Sequence, residues 1–214
     1  MSIRVVWASL ARLIDYSFGE LETYVGTVQN ALKREKVHFD SWLKGQLAEL
    51  SEDDADERAE LYAEDFEQLS TTFPEIARRS AFLMIYSTFE HSLLVLCRRI
   101  QKIQKQPFGP QDLKGEFSGA EAYLQRLAGI RMRKCRGWEK IDVLRKIRNM
   151  LVHQGGRVRR GDTKFSKLVD RTSGVALDDQ EMVTLTDAFC LDSIATIRAY
   201  LSDLANDLGT VFHD

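Results

Sequence analysis

Arg148, Asn149 and His153 carry functional groups that suit the cleavage of a phosphodiester. A histidine titrates near neutral pH and can take up or release a proton during the reaction. An arginine presents a planar fork of N–H donors that binds two phosphate oxygens at once. An asparagine can orient the imidazole or hold a phosphate. The three residues therefore predict a catalytic site that acts on nucleic acid.

Residues 141–153 have the apolar periodicity of an amphipathic helix, at about 100° per residue. The core face of this helix holds Val143, Leu144, Ile147, Met150 and Leu151, and the opposite face holds Asp142, Arg145, Lys146, Asn149 and His153. Arg148 falls at the rim, five residues from His153, so the two side chains do not stack. Either the length of Arg148 or a second copy of the chain must bring the two groups together.

The same residues also fit a structural role. Gly155 and Gly156 predict the end of the helix just after His153, where an imidazole can satisfy terminal carbonyl groups. Arg148 can be an ordinary surface cation. Spacing alone leaves both interpretations open, because an arginine followed by a histidine five residues later is common by chance.

The chain around these residues is strongly basic. The whole protein has a formal net charge of −2, but residues 126–167 contain 14 lysines and arginines against three acids, a net +11, which leaves −13 for the remainder. Such an asymmetry either attracts polyanions or is a solvated basic face. The candidate RNA contacts are Arg131, Arg133, Lys134, Arg136, Arg145, Arg157, Arg159 and Arg160.

The remaining pattern predicts a mainly α-helical protein, because 44% of the residues are hydrophobic and only 3 are prolines. We expect residues 1–70 to form long N-terminal helices that pack on the domain as an extension. We expect residues 71–214 to form the main helical domain. Thr72, Pro74 and Glu75 have the spacing of a capping box and predict the start of a central core helix. Residues 174–177 and 182–185 predict a small β-hairpin before the last helix.

Several kinds of site have no signature in this sequence. It has no P-loop, no G-x-G-x-x-G and no metal-ligand cluster, and Cys97, Cys135 and Cys190 form no C-x-x-C pair. We therefore expect no metal and no cofactor. The first seven residues lack an apolar signal-peptide core, and no run approaches the roughly 20 apolar residues of a membrane span. We expect a cytoplasmic protein that does not contact a membrane.

Two stretches of the chain resemble HEPN domains. Arg148-Asn-Met-Leu-Val-His153 is similar to the R-x4-6-H motif of that family, with a polar residue directly after the arginine. Tyr86-Ser-Thr-Phe-Glu-His91 resembles the central helix of one bacterial HEPN group, and Gly155-Gly156 matches the end of the motif helix. We expect a structural role for Glu90 and His91 themselves. The resemblance extends over residues 72–208 and is weaker for the N-terminal region.

The resemblance implies a helical bundle, usually a homodimer, in which two copies of the motif face each other across a cleft. Many HEPN proteins cut RNA without metal and act as toxins or in phage defence, so the implied partners are RNA and an antitoxin or defence protein. Some members are inactive and bind a partner protein or a nucleotide. The acidic N-terminal helices favour that alternative. Gly155 stands where toxins paired with nucleotidyltransferase antitoxins have a tyrosine, so control by nucleotide addition there is not expected.

Overall fold

The structure is a computed structural model that describes residues 3–113 and 115–212. It is mainly α-helical, with one small antiparallel hairpin before the last helix, as the sequence predicted. The helices are α1 (Ile3–Leu47), α2 (Glu52–Leu61), α3 (Ala63–Glu67), α4 (Phe73–Ile103), α5 (Glu116–Ala128), α6 (Trp138–Gln154), α7 (Thr163–Asp170) and α8 (Asp187–Val211). The strands are β1 (Val175–Leu177) and β2 (Val183–Leu185), paired so that Val175 lies opposite Leu185.

The first half of α1 is part of the core. Trp7, Ile14, Phe18 and Val25 are buried and recur at spacings that place them on one face of the helix. This face packs against α4 and α8. On α8, Arg198 donates hydrogen bonds to Asp15 Oδ1 at 2.9 Å and to Glu22 Oε2 at 3.0 Å. The second half of α1 extends to Leu47, beyond the buried positions, and contacts α2 and α3.

The central helix does not begin at Thr72, and the capping-box prediction is wrong. Thr72 has helical backbone angles and its side chain makes no cap hydrogen bond. Instead, α3 continues into α4 through a π turn at Gln68–Thr72, in which the Phe73 N–H reaches back to the Gln68 carbonyl. Pro74 has no N–H to donate, and the wide turn lets the chain continue past it as a helix.

The continuous helix Ala63–Ile103 forms the centre of the fold between Ala81 and Ile100, where its buried residues lie. By length and composition it is the one helix among the described residues that could cross a membrane, although 56% of its most apolar stretch is buried inside the protein. Burial of this extent is also what a core helix shows. This helix has no unbroken run of about 20 apolar residues and is apolar only on average, so a search for such runs does not find it. Its buried side chains include Phe82, Phe89 and Leu93.

The end of α6 is tied to the hairpin. Gly155 and Gly156 both have positive φ, at 61° and 84°, and the Gly156 N–H bonds to the Met150 carbonyl at 3.1 Å. The Gly156 carbonyl then accepts from the Val183 N–H at 2.9 Å, so the chain leaves the helix directly onto β2. A Cβ on Gly156 would lie 3.2 Å from a Leu151 methyl carbon. The segment that follows α6 is therefore held against the rest of the domain.

Candidate functional site

Arg148 lies at the contact between α6 and α4. Its Nη2 donates to Oε2 of Glu90 at 3.1 Å, and its Nη1 donates to Oδ1 of Asn149 at 3.1 Å. The guanidinium carbon also lies 5.7 Å from the centre of the Tyr86 ring, within range of a cation–π interaction. A quarter of the Arg148 side chain, 25%, is exposed to solvent. The arginine is thus held in place from one side while part of it faces water.

The two α4 residues that hold Arg148 are themselves buried. Counting the whole residue, Glu90 is 9% exposed and Tyr86 is 1% exposed. The Tyr86 hydroxyl has no hydrogen-bond partner among the described residues. Burial raises the pKa of Tyr86 above its usual range, and the nearby Glu90 carboxylate adds to this effect, so the hydroxyl keeps its proton at neutral pH. A buried carboxylate of this kind needs a cation, and Arg148 supplies it.

His153 lies in the last turn of α6 and is exposed. Within residues 3–113 and 115–212 its imidazole makes no hydrogen bond and no ion pair, so it does not cap the carbonyl groups at the helix end; the N–H groups of the two glycines do that. Asn149 lies one turn earlier and is half-buried beside Arg148. A solvent-facing imidazole without a partner is available for proton transfer.

Arg148 and His153 of one chain do not converge. Five residues turn an α-helix through about 140° beyond one full turn and advance it by about 7.5 Å. Arg148 accordingly faces α4, while His153 faces solvent. Asn149 and His153 are four apart and share a face. The arrangement in a single chain therefore presents one anchored guanidinium and one free imidazole on different sides of the same helix.

Arg145 also lies on α6 but is already paired. Its Nη2 lies 2.6 Å from Asp142 Oδ1, and Lys146 Nζ lies 2.8 Å from the other oxygen of the same carboxylate. Burial acts to raise the pKa of Asp142, but the hydrogen bonds from Lys146 and Arg145 bring it below its ordinary value. Asp142 is therefore ionised at neutral pH and offsets part of the positive charge on this face.

The two basic segments lie at opposite ends of α6, which has 17 residues and is therefore about 25 Å long. The segment with Arg157, Arg159 and Arg160 follows the end that carries His153, and all three side chains are exposed. The segment at residues 131–136 precedes the other end. There Arg133 bonds to Glu121 at 2.7 Å, while Arg131, Lys134 and Arg136 are exposed and have no side-chain partner in the described structure. The structure thus brings the later segment, and not the earlier one, close to His153.

Neither Glu90, for which a structural role was expected, nor Tyr86 was predicted to belong to the site. Tyr86 and Glu90 are four residues apart on α4, so they share a face. An acid on the buried face of an apolar helix is the sequence signal that could have identified them. His91 is exposed and does not take part in the contact with Arg148. The described residues contain no group of three or more histidine, cysteine, aspartate or glutamate side chains that could hold a metal ion.

Comparisons with protein-family models, with curated proteins and with solved structures find no match to this chain.

Proposed function

We propose that the chain is a metal-independent endoribonuclease of the HEPN type, with Arg148, Asn149 and His153 as its catalytic residues. One observation carries the proposal. The resemblance rests on two stretches that are far apart in sequence, and their key residues are in contact: Arg148 of the motif bonds to Glu90 and lies over Tyr86. The second stretch thus supplies the groups that hold the arginine of the first.

The chemistry follows from the groups available. The 2′-hydroxyl of RNA attacks the adjacent phosphorus, and His153 takes up the hydroxyl proton. The guanidinium of Arg148 binds the phosphoryl oxygens as negative charge builds up on them, and its fixed position reduces the reorganisation that this requires. The bond from phosphorus to the 5′ oxygen breaks, and that oxygen takes a proton from water. The products are a 2′,3′-cyclic phosphate and a 5′-hydroxyl end, and no metal enters the reaction.

A complete site requires two copies of the chain. Because Arg148 and His153 lie on different sides of α6, we propose a homodimer in which His153 of one copy acts with Arg148 of the other. An exposed apolar face supports such an interface: Phe73, Ile76 and Met84 on α4 are 42%, 57% and 39% exposed and recur at helical spacing. Val152, between Arg148 and His153, is 48% exposed.

The proposal also assigns a role to the basic residues around α6 and a biological role to the protein. Arg157, Arg159 and Arg160 guide the RNA backbone toward His153, with Arg145 on the same helix and the segment at residues 131–136 as more distant contacts. A nuclease that cuts cellular RNA must be restrained in its host. We therefore propose a cytoplasmic toxin or phage-defence role, with an antitoxin or defence protein as a partner.

One observation favours the alternative, a non-catalytic dimer that binds a protein or a nucleotide. Arg148 is already paired with a buried glutamate, and an ion pair of this kind also suits a purely structural link between α4 and α6. On that account Arg148 would stabilise the fold, and His153 would be an ordinary surface residue.

Expression in bacterial cells separates the two functions. We expect the wild-type chain to arrest growth and to degrade cellular RNA, and the His153→Ala variant to do neither. His38→Ala is the matched control, because His38 is an exposed histidine on α1. Equal amounts of folded protein must be present in all three cultures. Growth without RNA damage in cells that accumulate folded wild-type chain contradicts the proposal and favours the binding module.

A further inference from the structure

A cavity of about 330 Å³ lies between α1, the π turn, the start of α4 and the start of α8. It is on a different part of the fold from Arg148 and shares no residue with the site described above. The volume falls within the range of pockets that bind small molecules. This cavity is therefore large enough for a ligand and independent of the proposed nuclease chemistry.

The walls of the cavity are mostly apolar. Val25, Val28 and Leu32 line it from α1, and Leu69 and Ala77 line it from the π turn and α4. A pocket with apolar walls and a few converging polar groups is the usual form of a small-molecule site, because the walls supply affinity and the polar groups fix orientation. The body of a matching ligand is therefore apolar.

The polar groups at the cavity carry excess positive charge. Asp187 accepts from Arg78 at 2.7 Å and from Lys33 at 3.0 Å, so two cations share one carboxylate. Burial acts to raise the pKa of Asp187, but the bonds from Arg78 and Lys33 bring it below its ordinary value, so it stays ionised. Lys33 is 66% exposed, so its pair with Asp187 is weak and the ammonium can turn toward a bound anion. Lys36, the third cation of the lining, is paired with Asp40 at 2.7 Å. A single negative charge on the ligand would therefore balance Lys33, Arg78 and Asp187.

An unsatisfied hydroxyl lies in the same wall. Ser70 lines the cavity, and its Oγ is buried without a hydrogen-bond partner in the part of the chain that the structure describes. Buried polar atoms are nearly always bonded, so an unpaired hydroxyl beside a cavity is a candidate contact for a ligand. Ser70 belongs to the π turn, and wide turns of this kind occur frequently at functional sites.

We infer that this cavity binds a small amphipathic monoanion, with its apolar body between α1 and α4 and its anionic group at Lys33 and Arg78. The hydroxyl of Ser70 is covered by its neighbours and reaches a polar atom of the ligand by rotating about the Cα–Cβ bond. The inference stands whether or not the chain cleaves RNA.

Anilinonaphthalene sulfonate is a suitable probe, since it joins an aromatic body to one sulfonate and fluoresces when it leaves water. We expect saturable binding with one site per chain. Ala77→Phe should fill the cavity and abolish this binding, and Val28→Phe should do the same from the facing helix. Ala63→Phe is the matched control, because Ala63 is an exposed helical alanine outside the cavity. Thermal melting identifies any variant that does not fold.

The charge requirement is tested with phenylnaphthylamine, which has a similar aromatic body and no sulfonate. Lys33→Gln should weaken binding of the sulfonate by roughly two- to fivefold, the range for a solvent-exposed ion pair, and leave the neutral probe unchanged. Lys44→Gln, elsewhere on α1, should change neither. Sulfonate binding that survives both cavity-filling variants, or that Lys33→Gln leaves unchanged, overturns the inference.

Discussion

The Nη2 atom of Arg148 lies 3.1 Å from Oε2 of Glu90, a residue 58 positions earlier in the chain. The side chains are 25% and 11% exposed, so the pair is largely removed from water. This contact joins α6 to α4 and fixes the guanidinium at the edge of the core. In the proposed reaction Glu90 would be a positioning residue: it does not reach the phosphate, and it would act through Arg148.

A double-mutant cycle with Glu90→Gln and Arg148→Gln measures this contact. We expect Glu90→Gln to lower the free energy of unfolding by about 2 kcal/mol, less than for a fully buried pair because part of Arg148 is exposed. The coupling between the two changes should exceed about 1 kcal/mol in urea denaturation. The half-exposed pair of Lys36 and Asp40 is the control and should give under about 0.5 kcal/mol. A coupling at Glu90 no larger than in this control would mean that the pair does not hold Arg148.

Mixing two inactive variants tests the composite site. In a mixed dimer of Arg148→Gln and His153→Ala chains, one site keeps an intact Arg148 from one copy and an intact His153 from the other. Random pairing makes half of the dimers mixed, with one working site in two, so about a quarter of the wild-type activity should return. Native mass spectrometry shows whether mixed dimers form. If they form and the activity stays at the level of the separate variants, Arg148 and His153 do not act across an interface.

The basic segment after α6 can be separated from the chemistry. Replacing Arg157, Arg159 and Arg160 with alanine should weaken RNA binding, and each lost phosphate contact should flatten the salt dependence by about 0.7 in log–log slope for single strands. His153→Ala should leave binding intact and remove cleavage, since it takes away proton transfer and not attraction. A filter-binding series over salt concentration measures the first effect. Equal affinity of the triple variant at every salt concentration would show that these arginines are a solvated surface.

The buried half of α1 should contribute strongly to stability. Phe18 is 0% exposed against α4 and α8, so Phe18→Ala should cost about 3–5 kcal/mol in the free energy of unfolding. Tyr16, two residues away, is 66% exposed, and Tyr16→Ala should change stability by under about 0.5 kcal/mol. Similar small values for both variants in urea denaturation would mean that α1 is only loosely attached to the core.

Local periodicity was enough to predict much of the fold. The spacing of Ile147, Met150 and Leu151 predicted the buried face of α6 and placed Arg148 at its rim, where the structure has it. The glycines after His153 predicted the helix end, because their positive φ suits a helix C-terminus. The buried face of α6 and its end depend on residues within one or two helical turns of each other, so the local sequence is enough to predict them.

Features that depend on distant contacts were missed. The partner of Arg148 lies on another helix, and no local spacing links Glu90 to it. The helix start at Thr72 was mispredicted: the residues have the spacing of a cap, but the chain continues from α3 to α4 through a π turn that accommodates Pro74. Side chains from different helices, such as Arg148 and Glu90, meet only because of tertiary packing, which local sequence spacing does not show.

The most direct test is cleavage of a defined single-stranded RNA by purified protein in the presence of EDTA, with the product ends identified by mass spectrometry. The proposed mechanism predicts cleavage by the wild-type chain and by the His38→Ala control, with 2′,3′-cyclic phosphate ends, and none by His153→Ala. Cleavage that EDTA abolishes and Mg²⁺ restores contradicts the metal-independent mechanism. Cleavage by folded His153→Ala at the wild-type rate contradicts the assignment of His153 as the group that moves the proton.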